Sequence, residues 1–487
     1  MKRRLIALFA VLLADPLAAQ QSQTPASAPP PPATPAERPQ QSTRSVDEIL
    51  DEYLAIAVDS NLALQRQDLS VAQSVTALDE ARGRYLPQLS LSSRFSRAEG
   101  GRTIALPLGD LLNPVYATLN DLLAAQGQPP AFGSVNNTDI PFLREQEQQT
   151  YVQLVQPLYA PEIGAGVRAR RALAQSERAA RDAVALTLTR DVRVAYHNWL
   201  KARQGLGIVD ASRVLLQENL RVNESLHLNG KITRDQVLRA QAELLEVEQE
   251  RVSSANALDI SRSYFNFLLN RPLGTPIEVG AVEEAPAQPG ALETLQEQAL
   301  RQRPELQQLQ TATEAAQAQV SAARSRFKPT IALAVESGVQ GEEYRFGSQD
   351  DYSIASLTFN WNLFNGNQDK ARLSQARLAA RSADLQREDT ARRIALEVEQ
   401  THGDVLSAIS ALGTARARQE AAREGFKIAA RKRDAGVISQ VEFLDARTTL
   451  TSAELNHAVT QFDLLMRQAE LARAVGSAGQ PTPGDER

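Results

Sequence analysis

Gly436-Val-Ile-Ser-Gln-Val-Glu-Phe-Leu-Asp-Ala-Arg447 has a near twin earlier in the chain, Gly230-Lys-Ile-Thr-Arg-Asp-Gln-Val-Leu-Arg-Ala-Gln241. Glycine, isoleucine, a small hydroxyl residue, leucine and alanine recur at the same steps, with an offset of 436 − 230 = 206 residues. Each copy lies between long stretches of helix-forming sequence, so each reads as the turn of a helical hairpin. Glycine takes the left-handed conformation that ends a helix. Ser439-x-x-Glu442 and Thr233-x-x-Gln236 then read as capping boxes that start the next helix. The chain is read as two copies of one unit, with these turns as matching ends.

A second pair of signals lies further out. Helical composition starts at the capping box Ser45-x-x-Glu48 and runs through Asn61-Leu-Ala-Leu-Gln65 to Arg84, where Tyr85-Leu-Pro-Gln-Leu89 stops it. Phe327-Lys-Pro-Thr-Ile331 is the same break at an offset of 327 − 85 = 242. After each break the pattern alternates: Leu89, Leu91 and Phe95 against Gln88, Ser90, Ser92 and Arg94, then Ile331, Leu333 and Val335 against Thr330, Ala332, Ala334 and Glu336. That is a strand with one apolar face. Tyr151–Tyr159 and Tyr352–Phe364 close the two hairpins; in the latter Leu357, Phe359, Trp361 and Leu363 share a face. About ten residues per strand suits a tilted membrane-spanning strand. Tyr159, Trp361 and Phe364 lie near one end, as an interfacial girdle requires. The first hairpin loop, Ser96 to Gln149, is the longer, and Leu108–Leu123 within it suits short helices.

Proline-free helical runs follow each hairpin, Gly166 to Leu228 and Lys370 to Arg433, long enough for roughly 90–95 Å at 1.5 Å per residue. Their apolar residues spread over more than one face, as in a helix with two packed flanks and two wet faces. Gly205, Gly207, Gly403 and Gly413 are expected to allow local bends. Return helices run from Val237 to about Leu269 and from Phe443 to about Val475.

The totals agree with export. Lys2-Arg3-Arg4, the apolar run Leu5–Leu13 and the stretch Leu17-Ala18-Ala19, with its small alanines, form a secretory signal. No later run approaches the roughly 18 apolar residues of a membrane helix, so any membrane entry must use strands. The 487 residues carry a net charge of −5 and no long basic block, so nucleic acid is not an expected partner. With no cysteine there are no disulfides or thiolate metal sites. His197, His227, His402 and His457 have no ligand spacing and are read as helix-surface residues. No nucleophile–base constellation or nucleotide site is visible. An enzyme, a metal site and a cofactor are therefore not expected.

The expected domains are a signal peptide (1–19), a disordered Pro/Ala/Gln-rich linker (20–44), a first repeat (45–275; strands about 86–97 and 149–159, tip about 228–234), a connector (276–291), a second repeat (292–475; strands about 329–340 and 352–364, tip about 434–440) and a loose tail (476–487). Each repeat is helix, strand, strand, long helix, tip, return helix. Four strands cannot close a transmembrane barrel, whose minimum is about eight, so closure requires several chains.

The signal peptide, the twofold repeat, the Tyr/Phe-x-Pro breaks and the Gly-x-Ile-Ser/Thr tips together resemble the TolC family of outer-membrane efflux proteins over about residues 45–475. The resemblance implies a homotrimer: a shared 12-stranded β-barrel in the outer membrane of a Gram-negative bacterium, continued by a periplasmic α-helical barrel. It implies a passive channel for efflux or type I secretion. The tips would dock on a periplasmic adaptor (membrane fusion) protein coupled to an inner-membrane pump of RND, ABC or MFS type. A soluble periplasmic coiled-coil scaffold or adaptor is the rival reading; it accounts for the helices but not for the strands.

Family members carry lumen-facing acids just past the second tip glycine. The matching residues here are Glu442 and Asp445, three apart on a starting helix. Three chains would make a carboxylate ring that favours cations. Glu442 equally suits the third position of the capping box, where a helix N-terminus favours negative charge. The first tip has Gln236 and Arg239 at those steps. The latch positions of some members match Arg433, Ile438 and Gln236, which do not keep that chemistry; Arg433 with Asp235 or Glu442 is the expected substitute. Gly230, Ile232, Thr233, Gly436, Ile438 and Ser439 are the adaptor-docking candidates, and Arg168, Arg170 and Arg171 read as a solvated helix start.

Overall fold

The computed structural model describes residues 44–281, 288–343, 345, 347 and 350–477. The expected signal peptide, nearly all of the linker and tail residues 478–487 lie outside the described residues.

Two short helices lead into each strand pair. In the first repeat they are α1 (Val46–Ser60) and α2 (Leu62–Gly83). The capping box at Ser45 is formed in both directions, with Glu48 N donating to Ser45 Oγ and Ser45 N to the Glu48 carboxylate. Sequence reading runs one helix through Asn61. The structure breaks it there, because the Asn61 side chain accepts from the amides of Ala63 and Leu64 and so caps a new helix. The long polar strand pair follows: β1 (Gln88–Arg97) and β4 (Gln146–Tyr159), bracketing β2 (Thr103–Leu106), α3 (Leu108–Ala125) and β3 (Thr138–Pro141). The long loop thus holds one 18-residue helix on a small hairpin, not a set of short helices.

The long helix α4 (Pro161–Leu228) and the return helix α5 (Arg234–Leu268) complete the first unit. The second unit repeats the order with α6 (Leu292–Gln302), α7 (Pro304–Ser325), β5 (Thr330–Gly341), β6 (Asp351–Asn360), α8 (Gln368–Asp434) and α9 (Gln440–Val475). α4 and α8 have 68 and 67 residues, about 100 Å each at 1.5 Å per residue. Both pass unbroken through Gly205, Gly207, Gly403 and Gly413.

β1, β4, β5 and β6 form one antiparallel sheet in the order β1-β4-β5-β6. Register decides what each face presents, because directly opposed residues point the same way. Leu89 faces Leu154, which faces Val335; Leu333 faces Leu357 and Ile331 faces Phe359. Val155, Ile354, Tyr151 and Tyr352 fall on one face, while Leu89, Leu91, Leu154, Ile331, Leu333, Val335, Leu357 and Phe359 share the other. Leu89, Leu91 and Leu357 are 70%, 72% and 69% exposed there. The opposite face carries Ser90, Gln153 and Glu336 in one row and Arg94, Gln149 and Gln340 in another. β6 stops at Asn360, short of the expected end at Phe364. Trp361 leaves the ladder and donates its indole N–H to the Phe327 carbonyl at 3.1 Å, tying the end of β6 to the break before β5.

Short helices stack end to end alongside the long ones. Asn61 Nδ2 donates to Leu268 O, joining α2 to α5, and Arg303 Nη1 donates to Ala474 O, joining α7 to α9. The larger core lies at the first junction, where Tyr53, Tyr196, Trp199 and Phe265 meet; the Tyr53 and Phe265 rings are 5.0 Å apart, edge to face. The connector is partly pinned to this core. Ile277 is buried, Glu278 N donates to Tyr53 Oη, and Tyr196 Oη donates to Glu278 O while accepting from Gly280 N. Burial pushes the Tyr196 phenol up to about 12. His197, expected on the surface, is 6% exposed. It sits on the same packed stretch of α4 as Tyr196 and Trp199, and burial, aided by Arg193, pushes its imidazole down to about 4. Among the described residues no helix is long and apolar enough to cross a membrane.

Candidate functional site

The two hairpin tips are built alike. At the first, Gly230 has φ +66°, its amide bonds His227 O, and Lys231 N bonds Leu226 O. At the second, Gly436 has φ +70°, its amide bonds Arg433 O, and Val437 N bonds Lys432 O. These are left-handed helix ends with paired bonds back into the last turn. No atom lies within 4 Å of a Cβ built on either glycine, so backbone conformation and not space requires glycine there.

The starts of the return helices differ. Ser439 forms the full capping box: Glu442 N donates to Ser439 Oγ, and Ser439 N donates to Glu442 Oε2 at 2.9 Å. Thr233 stands at the same step with an extended backbone but makes no side-chain cap bond, so the second box read from the sequence is not formed. Instead His227 Nδ1 lies 3.1 Å from Ile232 O and fastens the turn from the other side.

Glu442 and Asp445 are both exposed, but their surroundings separate them. Glu442 is held by its own helix start through Ser439. Asp445 lies on the next turn of α9. Between them Phe443 and Leu444 turn inward onto Leu216, Leu244, Phe426 and Ile438, closing the two hairpins on each other. Of the docking candidates, Ile232 and Ile438 are half-buried, and Gly230, Thr233, Gly436 and Ser439 are exposed. Leu228 and Val437 are more exposed than any of the isoleucines, at 86% and 71%, and sequence reasoning passed over them. Their signal was a large apolar side chain flanking a turn glycine.

Arg433 pairs with neither Asp235 nor Glu442. Its guanidinium lies 4.1 Å from the centroid of the Phe443 ring. Burial lowers its pKa, against the opposing pull of Asp434. One turn on, Arg447 is buried over the Phe426 ring at 5.5 Å, and burial lowers its pKa against Glu454. One contact crosses from the second hairpin to the first, Gln440 Nε2 donating to Asn219 Oδ1 at 3.2 Å; within the second hairpin Arg423 on α8 lies 3.6 Å from Glu454 on α9. Asn219 is buried on α4, and no sequence pattern marked it. Arg168, Arg170 and Arg171 are exposed at the start of α4. Among the described residues no group of His, Asp and Glu is placed to hold a metal ion.

Comparison with known proteins agrees with this arrangement. Residues 295–477 match the family model described as outer membrane efflux protein. The alkaline protease secretion protein AprF of Pseudomonas aeruginosa is 23% identical over 345 residues, 68% of this chain and 70% of that protein. The solvent efflux pump outer membrane protein SrpC of Pseudomonas putida is 24% identical over 313 residues, 61% of this chain; the match spans 64% of SrpC, just under two thirds of its length. The Campylobacter jejuni CmeC outer membrane channel superposes with a TM-score of 0.72 at 15% identity, covering 92% of this chain and 91% of that one. The Neisseria gonorrhoeae MtrE outer membrane channel, solved in its open state, gives 0.69 at 19% identity, covering 88% and 89%. Two repeats of helix, strand pair, long helix and glycine tip lead to one conclusion: this chain has the fold of solved outer-membrane channels, and its second repeat matches the outer membrane efflux protein family.

Proposed function

We propose that this protein is the outer-membrane channel of a tripartite efflux or type I secretion system, a passive duct with no chemistry of its own. The observation that carries the reading is a sheet with an exposed apolar face and a polar face, continued by helices about 100 Å long. The apolar face suits lipid and the polar face a water-filled lumen. The free edges of β1 and β6 cannot stand unpaired in lipid. In this reading three chains join edge to edge into a 12-stranded barrel, and the repeats 45–275 and 292–475 supply equal parts of the ring. The helices extend through the periplasm.

The tips then face inward, where the exposed Leu228, Val437 and the turn backbones suit docking on a periplasmic adaptor coupled to an inner-membrane pump. Asp445 is the better candidate for a lumen carboxylate, since Glu442 is engaged in capping. The names of AprF and SrpC point to different cargoes, a protease and solvents.

Expression of the full chain tests this reading. The protein is expected in the outer-membrane fraction, as an oligomer that collapses to single chains only on heating in detergent, and as a conducting pore in planar bilayers. Recovery solely in the soluble periplasmic fraction would overturn it. Drug sensitivity and secretome of a deletion strain identify the cargo.

A further inference from the structure

We propose that the uncovered face of α3 is an interface with a second copy of this chain, at the outer mouth of the channel. The inference rests on the channel reading above.

The helix is a built surface. Its inner side is strapped by the returning segment through asparagines that imitate backbone. Asn113 Nδ2 donates to Val135 O while Val135 N donates to Asn113 Oδ1 at 2.8 Å. Asn120 does the same with Phe132, donating to its carbonyl and accepting from its amide. Asp110 N donates to Asn137 Oδ1, and Asn137 Nδ2 donates to Asp110 Oδ2 at 3.0 Å. Gly109 permits the close approach: a Cβ there would stand 2.5 Å from Val135 O. The rings of Tyr116 and Phe132 stack at 5.3 Å.

The other side is bare. Leu111, Val115 and Leu122 are 66%, 53% and 58% exposed, and Leu108 and Leu119 lie beside them at helical spacing. A contiguous exposed apolar stripe on an otherwise anchored helix marks an interaction surface.

Position and charge select the occupant. The helix belongs to the β1–β4 hairpin, and β1 is an open edge of the sheet. That edge must pair with a neighbouring copy if the sheet spans lipid, so α3 stands beside the seam between copies. Residues 103–143 contain Asp110, Asp121 and Asp139 and no lysine or arginine. Helices that lie on anionic lipid carry basic residues on their polar face, so a lipid headgroup layer is a poor match and an apolar protein surface a good one.

Photo-cross-linking tests it in the full chain in its native membrane. p-Benzoylphenylalanine replaces Val115 or Leu122, and as a control the exposed Gln128. Irradiation is expected to give a covalent dimer of the chain from positions 115 and 122 and none from 128. Lipid adducts alone at 115 and 122, or no adduct there in a sample whose unheated oligomer is intact, would overturn the interface and leave the channel reading standing. Absence of any unheated oligomer in the parent protein would overturn both.

Discussion

Arg303 donates from Nη1 to the carbonyl of Ala474 at 2.9 Å, seaming the start of α7 to the end of α9. Its counterpart in the first repeat is Asn61, which donates to Leu268 O at 2.9 Å. The offsets are 303 − 61 = 242 and 474 − 268 = 206, those of the strand breaks and of the tips. One mechanical task, holding a short helix on the end of a return helix, is thus done by a neutral amide in one repeat and by a guanidinium in the other. A buried guanidinium requires counter-charge. Glu305 accepts from Arg303 Nε and Nη2 at 2.9 Å each, and Glu397 on α8 accepts from Nη1 at 3.0 Å. Arg473 bonds both carboxylates and closes a four-membered ring of charges.

The two seams should differ in how much they carry. Arg303→Met removes a side chain only 3% exposed and leaves Glu305 and Glu397 sharing Arg473. Breaking a buried ion pair from one side costs about 3–5 kcal/mol. Asn61→Ala loses a cap and one seam bond, on the order of 1–2 kcal/mol. The expected result is a marked fall in the temperature at which the oligomer dissociates on unheated-to-heated gel series for Arg303→Met, and a smaller fall for Asn61→Ala. Equal falls would mean that the charge ring adds nothing to the seam.

His197 should make assembly acid-sensitive in a defined window. Its folded pKa is depressed from 6.5 to about 4, chiefly by burial. The unfolded chain therefore binds the proton first as pH falls, and stability present above pH 6.5 declines until about pH 4. The full shift corresponds to at most about 3 kcal/mol per chain. Glu305 acts in a separate, lower window. Burial raises it, but the Arg303 hydrogen bonds and charges outweigh that and hold it below the usual carboxylate value. Its contribution is complete above the ordinary carboxylate pKa and is lost as pH drops through the depressed one. Dissociation temperature measured against pH should lose its slope between pH 6.5 and 4 in His197→Leu, with the acid limb below retained.

These elements also show where the sequence was legible. The tips, the proline breaks and the strand alternation are local signals, each written in a few adjacent residues, and register carried the alternation to the expected two faces. The helix break at Asn61 was not legible, because Leu62–Gln65 continues a good helix composition and only the contact with Leu268 gives the asparagine a reason to cap. His197 was misread for a related reason: a helix packed on several sides has no single stripe, so neither periodicity nor residue type marks which polar side chain turns inward. Thr233 satisfied the spacing of a capping box yet forms none, since spacing fixes reach and not rotamer. Leu228 and Val437 escaped notice because an exposed apolar residue looks like a core residue until its surroundings are known.

The twin tips should respond unequally to the same change. Ser439→Ala removes a hydroxyl that caps Glu442 N, and a cap of this kind is worth about 1 kcal/mol. Thr233→Ala removes a hydroxyl with no cap bond. Amide hydrogen exchange should therefore speed up in the first turn of α9 in Ser439→Ala, with little change at the start of α5 in Thr233→Ala. A reversed order would show that Thr233 caps in solution.

The acids at the second tip give the sharpest separation. Glu442 Oε2 accepts from the Ser439 amide at 2.9 Å, which fixes the carboxylate against its own helix start. Asp445 is exposed one turn further on. If a carboxylate ring narrows the inner mouth, Asp445 supplies the free charges, three in a trimer, and attracts multivalent cations. Asp445→Asn should then weaken block of single-channel current by a trivalent cation and shift selectivity away from cations. Glu442→Gln should leave block nearly unchanged and act on the helix start instead, because a neutral amide still accepts from Ser439 N but no longer offsets the positive end of the α9 dipole. Unchanged block in Asp445→Asn together with lost block in Glu442→Gln would move the ring to the capping residue. Unchanged block in both would remove the second tip from the lumen constriction, and the search would pass to other acids along α8 and α9.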